Sequence, residues 1–336
     1  MSGASRYDIL FEPVKIGPVT APNRFYQVPH CTGMGVKRPH FQAAMRGVKA
    51  EGGWGVVCTE YCSIHESSDD MPFPFAHLWN EDDVRALSRM SGAVHEHGAL
   101  AGVELWHGGS LISNNHSRLP TMGSDSRPHF FDPVQSCRMD RQDILDLRRW
   151  HRDAALRARQ AEFDIVYVYL NHNYLLWEFM EADLNSRDDE YGGSLENRMR
   201  LARELIEETK EAVGDRCAVA VRYSLTGDWD TGGLRYDDYC EMLERMADLP
   251  DLWDITVHDY TWEMGSSRFV KEAAQEEVVS FVKSVSSKPV VGVGRFTSPD
   301  TMVRQVRKGI LDFVGAARPS IADPYIPTKI REDRLE

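Results

Sequence analysis

Side chains able to do chemistry recur along this chain at wide, fairly even spacing: Cys31, Tyr61, Glu104 with His107, Tyr169 with His172, Arg222, then His258, Asp259 and Trp262. Thiols, phenols, imidazoles and guanidinium groups are what enzymes use for nucleophilic attack, proton transfer and charge stabilisation. Two later stretches are glycine-rich and end in arginine, Gly292-Val-Gly-Arg295 and Gly315-Ala-Ala-Arg318. Small residues let backbone amides close on an anion, and arginine forks onto phosphate oxygens. The two turns point to a phosphorylated cofactor or substrate; the bland alternative is glycine serving only tight strand–loop geometry. Taken alone, Cys31 reads first as a partly buried, inert thiol, the commoner fate of a lone cysteine, and each aromatic as packing.

These residues need elements to hold them together. Short β-branched or apolar runs predict strands at 23–28, 55–61, 99–106, 164–169, 218–224, 253–258, 289–294 and 312–317. Helical spacing predicts helices near 41–51, 81–97, 141–161, 194–213, 235–247, 272–286 and 298–308, with a last one near 324–332. Alternation of this kind implies a parallel sheet, and eight repeats fit an α/β fold of the (β/α)8 TIM-barrel type as a single domain over 1–336. No G-x-G-x-x-G follows the first strand, which speaks against a dinucleotide-binding open sheet. In a barrel, every candidate above falls at the C-terminal end of a strand, where barrel enzymes place their sites. The segment 107–140, rich in Gly, Ser, Asn and Pro, would then be either a functional rim loop or a plain surface excursion.

Composition narrows the partners. The 336 residues carry 39 Lys+Arg against 52 Asp+Glu, a net charge of −13, which disfavours nucleic acid and anionic membranes. No apolar run approaches the ~20 residues of a membrane span, and the first residues lack the apolar core of a secretory leader. Six scattered cysteines without such a leader suggest reduced thiols and a cytoplasmic location. None stands in a C-x-x-C pair, so neither a metal site nor an iron–sulfur cluster is expected in this chain.

The opening Leu10-Phe-Glu-Pro-Val-Lys-Ile-Gly-Pro18 with Asn23-Arg24, and the run Asp189-Glu-Tyr-Gly-Gly-Ser-Leu-Glu-Asn-Arg198, resemble the Old Yellow Enzyme barrel. Phe25-Tyr-Gln-Val-Pro-His-Cys31, Glu51-Gly-Gly-Trp54, Thr59-Glu-Tyr-Cys62, Gly102-Val-Glu-Leu-Trp106 and Ala317-Arg-Pro-Ser-Ile-Ala-Asp-Pro324 narrow the resemblance to its trimethylamine, dimethylamine and histamine dehydrogenase branch. It implies FMN in the barrel mouth, with Gly294, Arg295, Ala317 and Arg318 at the phosphate and Pro29, His30 and Glu104 against the flavin. It also implies a thioether from Cys31 to flavin C6, and Arg222 stabilising the reduced flavin. On the substrate side it implies an aromatic bowl with Tyr61 and Trp262 as walls, Tyr174 and Glu178 nearby, and Tyr169 with His172 below. A small amine is the implied substrate, oxidised or demethylated by hydride transfer to the flavin.

Departures from that branch are visible too. Trp262-Glu-Met-Gly-Ser-Ser-Arg268 lacks the branch's aspartate, with only Glu263 as a substitute, and Glu178 stands where the branch has glutamine. A retuned pocket for a larger or zwitterionic methylated amine is the expectation. The branch's iron–sulfur and nucleotide-binding domains are not in these 336 residues, so electrons would leave to an acceptor protein or to those domains; a homodimer is a further expectation. Competing readings are an NAD(P)H-dependent ene-reductase and a flavin-binding barrel that turns over only with a partner chain.

Overall fold

The computed structural model describes residues 6–69, 75–129, 132–225, 236–257 and 269–335. Eight parallel strands close into a barrel: β1 (Phe25–Gln27), β2 (Val56–Ser63), β3 (Leu100–Trp106), β4 (Ile165–Leu170), β5 (Ala218–Ser224), β6 (Leu252–Thr256), β7 (Val290–Gly292) and β8 (Phe313–Ala316). Each pairs with its neighbour in sequence, and β8 pairs back onto β1. Runs such as Ile165-Val-Tyr-Val-Tyr-Leu170 are buried on both faces, as strands must be between a barrel interior and a shell of helices.

Two concentric cores follow from the period of two along each strand. Tyr26, Val56, Cys58, Ile165, Tyr167, Ala220, Leu252, Val291 and Phe313 fill the interior. The alternate residues, such as Val57, Val103, Val166 and Val221, pack outward against helix residues such as Leu147, Leu201 and Leu205. The helices are α1 (Pro39–Glu51), α2 (Glu81–His95), α3 (Arg141–Gln160), α4 (Leu195–Val213), α5 (Tyr236–Met246), α6 (Glu276–Val285), α7 (Pro299–Arg307) and α8 (Ile326–Arg331). Several start on side-chain caps that satisfy otherwise unpaired amides: Asn80 and Asp140 in capping boxes, Ser194 and Ser298 as single acceptors.

The elements match the sequence expectation in order and type, with trimmed or shifted ends. β2 differs most, since it runs on to Ser63 and its register against β3 shifts between Cys58 and Tyr61. One extra residue on β2 reverses the alternation, so Cys58 and Tyr61 both face inward. Short elements escaped the sequence reading: a hairpin of Val14–Ile16 with Val19–Ala21, whose Ile16 and Ala21 join the inner core, and short helices at Leu175–Met180 and Arg318–Ala322. Among the described residues, no helix is long and apolar enough to cross a membrane.

Candidate active site

The strand register dictates the centre of the site. Arg222 on β5 lies directly opposite Tyr169 on β4 and Asp254 on β6, so all three point into the barrel near its C-terminal mouth. Glu104 on β3 completes the ring. The Arg222 guanidinium lies 3.7 Å from Glu104 and 3.8 Å from Asp254, and it donates to the Pro29 carbonyl at 3.1 Å. All four groups are buried or backbone. One cation between two carboxylates makes a pre-set charge array of the kind that stabilises charge developing on a bound ligand. Beneath it the Tyr26 and Tyr167 hydroxyls share a hydrogen bond of 2.5 Å beside Cys58. Burial pushes both phenols, and the thiol, well above their ordinary ionisation ranges.

Above this ring stands an aromatic wall. Tyr61 stacks on Trp106 at 4.3 Å, Trp106 meets Tyr174 edge-on at 5.2 Å, and Tyr174 lies 5.5 Å from Tyr169. The Tyr169 hydroxyl and His172 Nδ1 are hydrogen-bonded at 2.5 Å. Burial first, then the nearby Glu104 and Tyr174, raise the Tyr169 ionisation well above its usual range, so Tyr169 stays a neutral phenol. His172 and Asn173 both hold φ at 58°, in the left-handed region. Strain of about 1–3 kcal/mol per such residue persists only where surroundings over-determine it; here the Asn171 side chain accepts from the His172 amide at 2.7 Å.

Trp106 is the member of this wall that sequence reasoning did not single out. It follows from alternation, because Gly102, Glu104 and Trp106 share one face of β3. Its indole Nε1 is buried with no partner among the described residues. Truncating it to leucine removes both an aromatic face and the stack on Tyr61. The expected result is an affinity for an alkylammonium ligand about 3- to 30-fold weaker, the range of one desolvated cation–π contact, read by calorimetric titration. Trp262, the other expected wall, lies outside the described residues, as do His258, Asp259 and Glu263. Glu178 is not brought into this group. Its buried carboxylate accepts from the Ser110 amide and hydroxyl at 2.7 and 2.9 Å and from the Ser124 amide at 3.2 Å, bolting the 107–140 segment to the short helix Leu175–Met180. Burial raises it to about 7. His107 likewise serves local packing: its Nδ1 accepts from the Gly109 amide at 3.2 Å, and its Nε2 lies 3.1 Å from the hydroxyl of Ser67, beyond the end of β2.

The turn after β1 carries Cys31, which is exposed, between two clamps. On one side Glu60 of β2, fully buried, accepts from the Thr32, Gly33 and Gly35 amides at 2.6, 3.0 and 2.9 Å and from the Thr32 hydroxyl at 2.8 Å. A side chain at position 35 would strike Glu60 and the Ala76 backbone, each at 2.5 Å, so Gly35 is required. On the other side two cations of α1, Arg46 and Lys49, turn inward with Gln42 and Ala43. Arg46 donates to the His30 carbonyl at 2.6 Å and to Gln27 at 3.0 Å, and both cations reach His30 Nε2 at 2.6 Å. Burial, then Arg46, draws Lys49 down to about 6; burial and both cations hold His30 well below its usual range.

At β7 and β8 the two small-residue turns lie side by side, as the pairing of Gly292 with Val314 requires. Gly294 is buried and its carbonyl accepts from the Ala273 amide at 3.0 Å. Arg295, at φ 55°, sends its guanidinium to the Val270 carbonyl at 2.6 Å. Ala317 precedes the helix Arg318–Ala322, which has no side-chain cap, and Arg318 is exposed. Uncapped amides beside an arginine suit a phosphate. Buried polar atoms without partners among the described residues (His30 Nδ1, Thr256 Oγ1, Arg295 Nε) border the same mouth. The residues present therefore fit a flavin mononucleotide.

A closed parallel barrel with such a mouth is the scaffold of a flavin oxidoreductase, and the chain belongs to the NADH:flavin oxidoreductase / NADH oxidase family, whose profile matches residues 9–336. Membership implies FMN. Nearer relatives are amine enzymes. The chain is 41% identical over 347 residues to dimethylamine dehydrogenase of Hyphomicrobium sp. (strain x), covering 100% of this chain and 47% of that protein. The structure of 6-hydroxypseudooxynicotine amine oxidase from Pseudomonas geniculata N1 matches at 53% identity and a TM-score of 0.95, over 98% of this chain and 50% of that one. Histamine dehydrogenase from Rhizobium sp. 4-9 matches at 50% identity and a TM-score of 0.94, over 98% and 49%. The chain thus spans about half the length of these relatives.

Proposed function

We propose that this barrel binds FMN and oxidises a small, methylated amine. The observation that carries the reading is the buried Tyr169–His172 pair, enclosed by Tyr61, Trp106 and Tyr174 and set against Arg222. Aromatic faces hold an alkylammonium or its neutral amine where a polar pocket would hold a carbonyl or phosphate. The Tyr169 hydroxyl, linked to His172, supplies a site that can donate to or accept from the amine nitrogen. It orients the neutral amine whose lone pair must be free for oxidation. Bound FMN would supply the acceptor for a hydride from the carbon beside nitrogen; the iminium left behind hydrolyses to an aldehyde and a shortened amine. Arg222, held by Glu104 and Asp254, offers fixed positive charge to the reduced flavin.

Cys31, on its clamped turn, is the group that would tether the flavin through a thioether. After denaturation, FMN is expected to stay with the protein by mass spectrometry, and to be lost entirely in Cys31→Ala. Loss of free FMN from the wild-type chain would remove the tether from the account while leaving the barrel reading in place. Electrons would then pass to an acceptor protein or to the further domains found in the longer relatives. Six scattered cysteines fit a reducing compartment such as the cytoplasm.

A further inference from the structure

The cations under the Cys31 turn have a consequence for its neighbour. Arg46 Nη1 and Lys49 Nζ both lie 2.6 Å from His30 Nε2. The Arg46 guanidinium has no acceptor lone pair, so Nε2 accepts from Arg46 and does not carry hydrogen whichever way Lys49, drawn down to about 6, is protonated. The ring's hydrogen is then on Nδ1, and Nδ1 is buried without a partner among the described residues. The His30 amide donates to the Thr59 carbonyl at 3.2 Å and its own carbonyl accepts from Arg46 at 2.6 Å, which holds the backbone that carries the ring. Among the described residues Arg46 donates to Gln27 and His30, and Lys49 reaches His30 and the Ser320 hydroxyl, the latter at 3.3 Å.

We propose that Arg46 and Lys49 are positioning residues acting through His30: they lock its ring hydrogen on Nδ1, making that N–H a fixed donor to the ligand at the barrel mouth. The donor role rests on the FMN reading, whereas the lock does not. The cations facing the ring act to keep it neutral, against a backbone contact at Cys31 that favours protonation. Arg46 and Lys49 on α1 and Arg222 on β5 all oppose a second proton, and Glu60 lies across the turn on Arg46's side. A neutral donor that does not titrate can hydrogen-bond a flavin carbonyl or ring nitrogen at any working pH, which a free histidine could not.

The test is a long-range proton–nitrogen spectrum of the chain labelled at histidine nitrogens, with His30 assigned by its absence in His30→Gln. The expected pattern is a single neutral tautomer, hydrogen on Nδ1, unchanged from pH 5 to 8. Lys49→Arg, which keeps a donor, should preserve it. Arg46→Met with Lys49→Met should give mixed tautomers and a ring that protonates near the ordinary value of about 6.5. A wild-type ring with hydrogen on Nε2, or one doubly protonated at pH 6, overturns the lock. Added FMN should then move the Nδ1–H resonance; bound FMN that leaves it unmoved overturns the donor role. No FMN binding at all counts against the cofactor reading, and the tautomer pattern still decides the lock.

Discussion

Arg222→Met should lose about 3–5 kcal/mol of stability together with most of the reaction rate. The arginine is buried, and its removal leaves the Glu104 and Asp254 carboxylates inside the barrel without the cation that lies 3.7 and 3.8 Å away. Removing one partner of a buried ion pair costs that much because the survivor cannot be rehydrated. The Pro29 carbonyl also loses its donor, which loosens the turn leading into His30 and Cys31. Reduction of bound flavin should slow by about 10²- to 10³-fold, the range for deleting one pre-organised charge-stabilising donor. Urea unfolding reads the first effect and stopped-flow absorbance the second. Arg222→Lys should recover much of the stability and little of the rate, since an ammonium cannot span Pro29 and both carboxylates at once. If Arg222→Met unfolds like the wild type, the array is not electrostatically coupled as described.

Tyr169→Phe should preserve the fold and slow amine oxidation by about 10²-fold, the low end for a positioned proton-transfer group. The ring still packs against Tyr174, and only the hydroxyl bonded to His172 Nδ1 disappears. The pH dependence separates this role from simple ionisation. Burial raises the Tyr169 ionisation well above its ordinary value near 10, so the phenol holds its proton throughout the assay range. Its burial as a neutral group therefore contributes stability that is intact below about pH 10 and declines only above it. The variant should accordingly show a lower rate at every pH with the limbs of the profile unmoved. Disappearance of a limb below pH 9 would mean that Tyr169 titrates in the working range.

Much of this site could be read from residue order because barrels impose it. Glu104, Tyr169 and Arg222 stand at strand ends on inward positions, and counting by twos from a strand core is enough to place them. Trp106 obeys the same count and was open to the same reasoning. Tyr61 arrives inward only through the extra residue in β2, which no alternation predicts. Asp254 obeys the count as well, two residues on from the inward Leu252. Arg46 and Lys49 stayed hidden for another reason: charged residues on a helix read as solvent-facing, and only packing shows them turned inward. Glu178 illustrates the converse. Its place in the chain suggests the pocket, yet the 107–140 segment supplies three donors that take up its carboxylate, a long-range event invisible to local pattern. Arg295 similarly keeps its glycine-rich turn but sends its guanidinium to a neighbouring carbonyl.

The most direct test of the central claim is anaerobic mixing of the FMN-loaded protein with a panel of primary, secondary and tertiary methylated amines, followed at the flavin absorbance band. The account predicts bleaching by at least one amine, without NADH or NADPH, and colour returning only when an electron acceptor is added. Flavin that ignores every amine but is bleached by NADPH and recoloured by cyclohexenone would contradict it and make the barrel an ene-reductase.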